Sequence, residues 1–279
     1  MKTISRRSFL AAAGLSVAAL ALTACGGSSA STASSVASSA ASSEAASTSA
    51  AAGELTTVEA GKLTMATNAA FPPYEMTTDA GEFEGIDIET AQAIADKLGL
   101  ELQIDDMDFD AALLSVQQGK ADIVMAGVTV TDERKAVMDF SDSYATGIQS
   151  IIVPEGSDIT SPDDLAGKKI GTQRGTTGYI YCSDDFGDDA VVAYDDGLTA
   201  VQALKNGQVD AVVIDNAPAK EFVAANPGLV ILDTSYAEED YAIGLAKGSA
   251  LEDAVNAALE ELKADGTLQS IVDKYITAE

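Results

Sequence analysis

Two stretches of the chain share one pattern, and this repeat limits the folds that the sequence can adopt. Residues 113–127 read LLSVQQGKADIVMAG and residues 201–215 read VQALKNGQVDAVVID. Each combines the end of an amphipathic helix, a glycine that can stop it, an aspartate a few residues later and an apolar strand. The matching positions are Gly119 with Gly207, Asp122 with Asp210 and Val124 with Val212. The repeat predicts two similar halves that each contain the same helix-to-strand unit.

The rest of the globular part alternates short apolar runs with amphipathic stretches. From about Leu63 to Glu279 the amphipathic stretches are about 10 to 15 residues long, which is typical of βαβ units and predicts an α/β fold with mainly parallel sheets. Residues 88–98 carry apolar side chains at helical spacing, and Gly99 follows as a stop. The candidate strands are KLTMAT, LELQID, ADIVMAGV, IQSIIVP, KKIGTQ, AVVAY, VDAVVID, LVILD and YAIGLA.

The order of these elements predicts two lobes, of which the second is inserted into the first. About 220 residues fit two lobes better than one domain of ordinary size. The strand YAIGLA and the helices after it have no counterpart in the second half, so they are expected to return to the first lobe. We therefore assign residues 62–148 and 239–279 to lobe 1 and residues 149–238 to lobe 2. Two crossing strands, near 147–153 and 238–244, would join the lobes and permit hinge closure.

A cleft between the lobes is the expected place for a ligand. In open α/β sheets, ligands lie beyond the carboxyl ends of the strands. Those ends fall at Asn68 and at 127–131 in the first half, and at 173–178 and Asp215 in the second half. Because each lobe contributes two strand ends, one ligand between the lobes would contact all four.

Composition excludes several classes of function. The chain has 44 acidic and 16 basic residues, no histidine and a formal charge of -28, so nucleic-acid binding and histidine-based nucleophiles are excluded. Asp106, Asp108 and Asp110 alternate as in an EF-hand loop. However, Ala111 and Gln117 stand where that loop needs glycine and glutamate, so we predict no metal site and no cofactor.

The N-terminal residues have the features of an export signal and a lipid attachment site. Residues 1–24 combine a basic head, an apolar run of about 17 residues and small residues, which predicts a signal peptide rather than a membrane span. The twin-arginine and general export routes both stay open. Cys25 ends a lipobox-like LTAC and is expected to be lipidated, and residues 25–61 are expected to form a flexible Ser/Ala-rich tether. Once Cys25 is lipidated, Cys182 has no partner for a disulfide within the chain. We therefore expect its side chain to be buried as a small hydrophobic group.

Six segments, in order, resemble the polar amino-acid binding proteins of ABC importers, the type 3 extracellular solute-binding proteins. The segments are ATNAAFPPYEM, FEGIDIETAQAIADKLGL, MDFDAALLSVQQGKADIVMAGVTVTDERKAVMDFSDSY, DLAGKKIGTQRGTTG, NGQVDAVVIDNAP and YAIGLAKGS. The resemblance implies a type II periplasmic-binding-protein-like fold with two Rossmann-like lobes. It also implies an exported, lipid-anchored, monomeric receptor on the outer face of a bacterial membrane, which delivers an amino acid to an ABC permease.

The same resemblance assigns roles at the two poles of the amino acid. Arg134 would grip the α-carboxylate, supported by the N–H of Thr129 and by donors around Thr177. Asp215 would hold the α-ammonium, with the Gly127 carbonyl and the Thr129 hydroxyl as further acceptors. The site would therefore recognise a zwitterion with one charged residue from each lobe.

For the ligand side chain, the resemblance gives a less specific assignment. Phe71, Tyr74 and Phe109 match positions that line it, although Tyr74 could equally belong to the lobe core. Asn68 stands where many relatives carry aspartate, which weakens the case for a basic ligand without excluding it. Gln173 and Arg174 stand where residues that contact the side chain often lie. A guanidinium at Arg174 would suit an acidic or amide ligand or would simply face solvent. A polar amino acid is expected, but its identity stays open.

The alternative is an enzyme of the same fold, similar to cyclohexadienyl dehydratases. Without histidine, its general acid would have to be a carboxylate. The matched groups for a zwitterion favour binding over catalysis. A membrane sensor is disfavoured because no segment resembles a transmembrane helix followed by a signalling domain.

Overall fold

The computed structural model of the protein describes residues 55–276. The predicted signal peptide, Cys25 and most of the predicted tether lie outside the described residues. Within residues 55–276, no helix is long and apolar enough to cross a membrane. The described part has a two-lobed α/β fold in which each lobe is built on its own sheet.

The helices and strands follow one another from Lys62 to Tyr275. The strands are β1 Lys62–Thr67, β2 Ala70–Phe71, β3 Glu75–Thr77, β4 Phe83–Glu84, β5 Glu101–Asp106, β6 Ile123–Val124, β7 Met138–Phe140, β8 Ala145–Pro154, β9 Ile170–Gln173, β10 Val191–Tyr194, β11 Ala211–Asp215, β12 Leu229–Ile231, β13 Ala237–Tyr241 and β14 Gly244–Ala246. The helices are α1 Ile86–Leu98, α2 Phe109–Gln117, α3 Asp132–Lys135, α4 Thr177–Phe186, α5 Gly197–Lys205, α6 Asn216–Ala225, α7 Glu252–Ala264 and α8 Thr267–Tyr275.

The first sheet has the strand order β5-β1-β6-β14-β7. Strands β5, β1 and β6 are parallel, whereas β14 runs antiparallel to both β6 and β7. Apolar residues of β1 and β6 pack against α1, α7 and α8 in one core, with Leu63, Met65, Ile94 and Leu259 fully buried. The return of β14 to this sheet explains why the last strand has no counterpart in the second half.

The second sheet has the order β10-β9-β11-β8-β12, and β13 pairs with β8 beside it. Strands β10, β9 and β11 are parallel, as are the matching strands β5, β1 and β6 of the first sheet. Strand β8 is antiparallel to its neighbours β11, β12 and β13. The two parallel triplets therefore share one connectivity, with the first strand of each in the middle.

Matching hydrogen bonds confirm the internal repeat. Asp122 accepts the N–H of Thr64 at 2.8 Å, and Asp210 accepts the N–H of Lys169 at 2.8 Å. In each lobe an aspartate thus ties the entry of the third strand to the first. Gly119 and Gly207 have φ values of 65° and 66°, a left-handed conformation that glycine adopts readily.

The structure differs from the sequence prediction where the chain passes between the lobes. The sheets are mixed rather than mainly parallel, because β8 and β14 run against their neighbours. One strand was predicted over YAIGLA, but β13 ends at Tyr241 and β14 starts at Gly244. Strands β8 and β13 pair from Tyr241 opposite Ala145 to Ala237 opposite Gln149, and they are the two crossing strands. The exact lobe boundaries remain a prediction.

Two local predictions are confirmed. Helix α1 ends at Leu98, and Gly99 caps it with φ 70° and a left-handed backbone. Cys182 is buried in the apolar cluster that includes Ile151 and Leu165, and burial raises the pKa of its thiol to about 12. The thiol therefore acts as a small apolar side chain.

Candidate ligand-binding site

A cavity lies at the carboxyl ends of the parallel strands and takes its lining from both lobes. Nine of the ten residues predicted for the site line it. They are Asn68, Phe71, Phe109, Gly127, Thr129, Arg134, Gln173, Thr177 and Asp215. The other lining residues are Glu75, Ala126, Gln149, Thr176, Val213, Ile214 and Tyr241. The strand-end argument therefore predicted the position of the cavity, while the ligand contacts stay predictions.

Tyr74 is the predicted site residue that the structure places elsewhere. Its ring stacks behind Phe71 at 5.9 Å between centroids and meets Tyr241 edge-on at 5.4 Å. The side chain is 3 % exposed and belongs to the core of the first lobe. Tyr74 thus supports the aromatic wall of the cavity rather than forming it, which is the core role that the sequence left open.

Arg134 reaches the cavity from a short turn of helix that follows the end of β6. Thr131 begins this helix, and its hydroxyl accepts the Arg134 N–H at 3.2 Å. The guanidinium is 8 % exposed and donates to the carbonyls of Thr129 at 2.7 Å and Gly175 at 3.1 Å. It also lies 5.4 Å from the centre of the Phe109 ring. The guanidinium is therefore fixed at the cavity with N–H groups to spare, since arginine has five.

The start of α4 faces Arg134 from the second lobe. Thr176 begins this helix and its hydroxyl accepts the N–H of Tyr179 at 3.4 Å. The first N–H groups of a helix have no partner inside it and attract anions. Gly175 has φ 75°, and an added Cβ would lie 3.2 Å from the Cβ of Asp110. The positive φ and the nearby Asp110 therefore favour glycine at this contact between the lobes.

Asp215 lies at the opposite side, where β11 ends and α6 begins. Its carboxylate accepts the N–H groups of Ala217 at 3.0 Å and Ile148 at 2.7 Å. The side chain is 2 % exposed, and burial raises its pKa from 3.8 to about 6 although both N–H groups lower it. The carboxylate remains ionised at neutral pH and keeps free lone pairs that a cation can use.

Two aromatic rings and a glycine with a left-handed backbone shape the space between these charges. Gly127 has φ 54°, and an added Cβ would lie 2.9 Å from the ring of Phe71. Its N–H donates to Asp87 at 3.0 Å, which fixes the peptide beside the cavity. Phe71 and Phe109 supply apolar faces that suit the methylene groups of an amino-acid side chain.

Asn68 and Gln173 bridge the lobes at one end of the cavity. The Gln173 amide donates to the Asn68 side-chain oxygen at 2.8 Å and to the Asp195 carbonyl at 3.2 Å. The Asn68 amide donates to the Met107 carbonyl at 3.0 Å. Both side chains are thus neutral, buried and oriented by protein contacts.

Two acidic residues near the cavity were missed by the sequence analysis. Glu75 lines the cavity and is fully buried, and no hydrogen-bond donor within residues 55–276 reaches either of its oxygens. Burial and the neighbouring Asp87 raise its pKa well above the usual range. Glu239, 5 % exposed, lies behind Thr129. Nothing in the sequence separates these residues from the many surface acids, because only the fold determines which of them are buried.

Comparison with known proteins identifies one family. Residues 63–278 match the bacterial extracellular solute-binding proteins, family 3. The chain is 34 % identical over 226 residues to the L-cystine-binding protein TcyJ of Escherichia coli K12, with 79 % of this chain and 85 % of the relative covered. It is 33 % identical over 230 residues to the arginine-binding extracellular protein ArtP of Bacillus subtilis 168, with 78 % and 87 % covered.

Solved structures agree with this match. The arginine-, lysine-, histidine-binding protein ArtJ from Geobacillus stearothermophilus superposes with a TM-score of 0.75 at 34 % identity, covering 78 % of this chain and 96 % of ArtJ. An ancestral arginine-binding protein bound to glutamine superposes with a TM-score of 0.75 at 42 % identity, covering 78 % and 99 %. The two-lobed fold is therefore shared over nearly the whole described part of the chain.

Proposed function

Because the chain belongs to family 3 of the bacterial extracellular solute-binding proteins, we propose that its cavity captures one amino acid by both charged poles. The α-carboxylate pairs with Arg134, and the α-ammonium pairs with Asp215. The chain is an amino-acid-binding protein of an ABC importer and not an enzyme, as its sequence predicted.

The observation that carries this proposal is one buried cation and one buried anion, from different lobes, on the same cavity. Arg134 is 8 % exposed and Asp215 is 2 % exposed. Burial is costly for a charged group without an opposite partner, so both groups gain from a ligand that carries both charges. An amino-acid zwitterion has its carboxylate and ammonium on one carbon and provides that partner to each residue.

The remaining lining favours a neutral or basic polar side chain. Asn68 and Gln173 offer amide groups, and Glu75 adds a buried carboxyl group to the lining. A second carboxylate on the ligand would find no second cation, since Arg134 is the sole basic residue among those that line the described cavity. Relatives are named for arginine, lysine and histidine, and one arginine-binding relative is bound to glutamine, which agrees with this range. The relative named for cystine binds a ligand with two carboxylates and lies outside it.

The cellular setting extends the proposal. Members of the family act outside the cytoplasm. We assign Cys25 as the lipidated residue, with the Ser/Ala-rich tether holding a monomeric receptor near its permease. Labelling cells with a palmitate analogue tests the anchor: Cys25→Ala should lose the label and release the protein, and an equally labelled variant contradicts the assignment.

The central experiment is a thermal-shift screen of the mature chain from residue 26, followed by calorimetry. Each common amino acid and cystine is tested at one concentration. We expect at least one of arginine, lysine, histidine or glutamine to raise the melting temperature, because a ligand stabilises the state that binds it. Aspartate and glutamate should give no shift. A flat response to all amino acids contradicts the proposed function.

A further inference from the structure

A buried carboxylate on a crossing strand lies behind the cavity. In β13, Glu239 and Tyr241 are 5 % and 1 % exposed, whereas Glu238 and Asp240 face solvent. This alternation is the period of two of a strand. Thr129 forms an isolated β-bridge with Tyr241, so β13 passes directly beside the end of the cavity.

Two donors converge on one oxygen of Glu239. The Thr129 hydroxyl donates to Oε2 at 3.1 Å, and the Gln149 amide donates to the same atom at 3.0 Å. A carboxylate can only accept hydrogen bonds, and a threonine hydroxyl has one hydrogen to give. The single hydrogen of Thr129 is therefore committed to Glu239, and the hydroxyl presents only lone pairs to the cavity.

The hydrogen bond from Thr129 to Glu239 also determines which threonine hydroxyl is the donor in the contact across the cleft. Oγ1 of Thr177, from the second lobe, lies 3.4 Å from Oγ1 of Thr129. Since the Thr129 hydrogen points to Glu239, Thr177 must be the donor in this contact. The hydrogen bonds thus run in one direction, from Thr177 to Thr129 to Glu239.

The negative charge of Glu239 also affects Arg134, the residue proposed to bind the α-carboxylate of the ligand. Burial lowers the pKa of Arg134, and the nearby negative charge of Glu239 opposes that change. Burial and Glu239 together raise the pKa of Tyr181 to about 12. The negative charge of Glu239 therefore favours the charged form of Arg134, although Glu239 does not line the cavity.

We propose that Glu239 is a positioning residue that fixes the Thr129 hydroxyl as an acceptor for the α-ammonium group of the ligand. It acts through Thr129 and does not touch the ligand. The inference rests on the proposed function, because it requires an amino acid in the cavity. Without Glu239, the Thr129 hydroxyl can turn its hydrogen toward the ammonium, which opposes binding.

The test compares ligands with and without the α-amino group. Calorimetry is run with L-arginine and guanidinovalerate, and with L-glutamine and glutaramate. For Glu239→Ala we expect affinity for the amino acid to fall about 10-fold, the size of one hydrogen bond to a charged group, and affinity for the des-amino analogue not to fall. Glu239→Gln keeps an accepting oxygen and should retain most of the affinity. Glu238→Ala, on the exposed face of the same strand, is the matched control and should bind as wild type.

A double-mutant cycle with Thr129→Val decides whether Glu239 acts through that hydroxyl. In the Thr129→Val background, Glu239→Ala should change affinity no further. An effect that persists there, or an equal loss for amino acid and analogue, overturns the inference. If Glu239→Ala does not fold, Glu239→Met keeps the length of the side chain without an acceptor and must give the same results. If the wild-type protein binds no amino acid, the proposed function itself is refuted. If the wild-type protein binds and Glu239→Ala binds equally well, the inference alone is refuted.

Discussion

Replacing Arg134 by alanine tests the proposed carboxylate site most directly. The guanidinium is 8 % exposed and held by the carbonyls of Thr129 and Gly175. Truncating one partner of a buried, hydrogen-bonded charge pair costs about 2 to 5 kcal/mol, which is about 30-fold to several thousand-fold in affinity. We expect the upper half of this range, because without the guanidinium the negative charge of the nearby Glu239 would also repel the α-carboxylate.

The assay is calorimetry with the amino acid that gives the largest thermal shift. Arg134→Lys keeps the positive charge but loses the planar fork, so it should bind more weakly than wild type and more tightly than Arg134→Ala. Arg174→Ala is the matched control. Arg174 is the arginine of the neighbouring loop, its side chain is 53 % exposed and it pairs with Asp195 at 3.6 Å.

A folding check and two outcomes separate an effect on binding from an effect on folding. Circular dichroism and urea unfolding must first show that each variant is folded, since Arg134 also joins the lobes through Gly175. A folded Arg134→Ala that keeps wild-type affinity refutes the carboxylate assignment. An equal loss in Arg174→Ala would instead indicate a general electrostatic effect, which added salt should weaken.

Three further predictions rest on buried ionisable groups. The pKa of Asp215 is about 6, so calorimetry should show weaker amino-acid binding as pH falls below 6. The affinity should fall by at most about 10-fold per pH unit, and Asp215→Asn should bind weakly at every pH. Burial raises the pKa of Asp87 from 3.8 to about 6, so its ionised form costs the folded state up to about 3 kcal/mol. Urea titrations should therefore find Asp87→Asn more stable than wild type at pH 8, with a gain that declines below pH 6 and is lost near pH 4; an equal gain at both ends contradicts this reasoning. Cys182 should react with a thiol reagent only after unfolding, because burial raises its pKa to about 12, and rapid labelling of the native protein would contradict this.

The sequence predicted the elements whose signals are local. Strand β1 coincides with KLTMAT, and Gly99 stops α1 as expected. The lobe repeat was predictable because Asp122 and Asp210 need the same position relative to the strand that each one holds. The crossing region was less predictable, because its pairing joins residues far apart in the chain. The break between β13 and β14 comes from pairing with different sheets, which no local pattern encodes.

The residues of the cavity can likewise be divided into those that the sequence predicted and those that it did not. Asp215 stands at a strand end and Arg134 in the short helix α3 that follows one, and the topology rule brings strand ends together. Glu75 and Glu239 could not be chosen from a chain with 44 acidic residues, since their burial depends on the packing of the crossing strands and the small sheet of β2, β3 and β4. Tyr74 shows the opposite error, in which a predicted site residue does not line the cavity. The sequence does not distinguish an aromatic residue that lines a cavity from one that packs behind the lining, as Tyr74 packs behind Phe71.

The repeat also explains how one framework can hold two poles of a ligand. Gly127 and Asp215 occupy the same position in the two copies of the pattern, each just beyond or at the end of the third parallel strand of its lobe. In the first lobe the position is a glycine with φ 54° whose N–H is held by Asp87, so its carbonyl is the group left for a ligand. In the second lobe it is a buried carboxylate at the start of α6. Under the proposed function, these equivalent positions would supply a neutral and a charged acceptor to the same ammonium. The cation would come from Arg134, seven residues beyond Gly127, where the equivalent position of the second copy is Phe222. The repeat accounts for the shared frame of the site, and the residues that differ between its two copies account for the opposite charges that an amino acid requires.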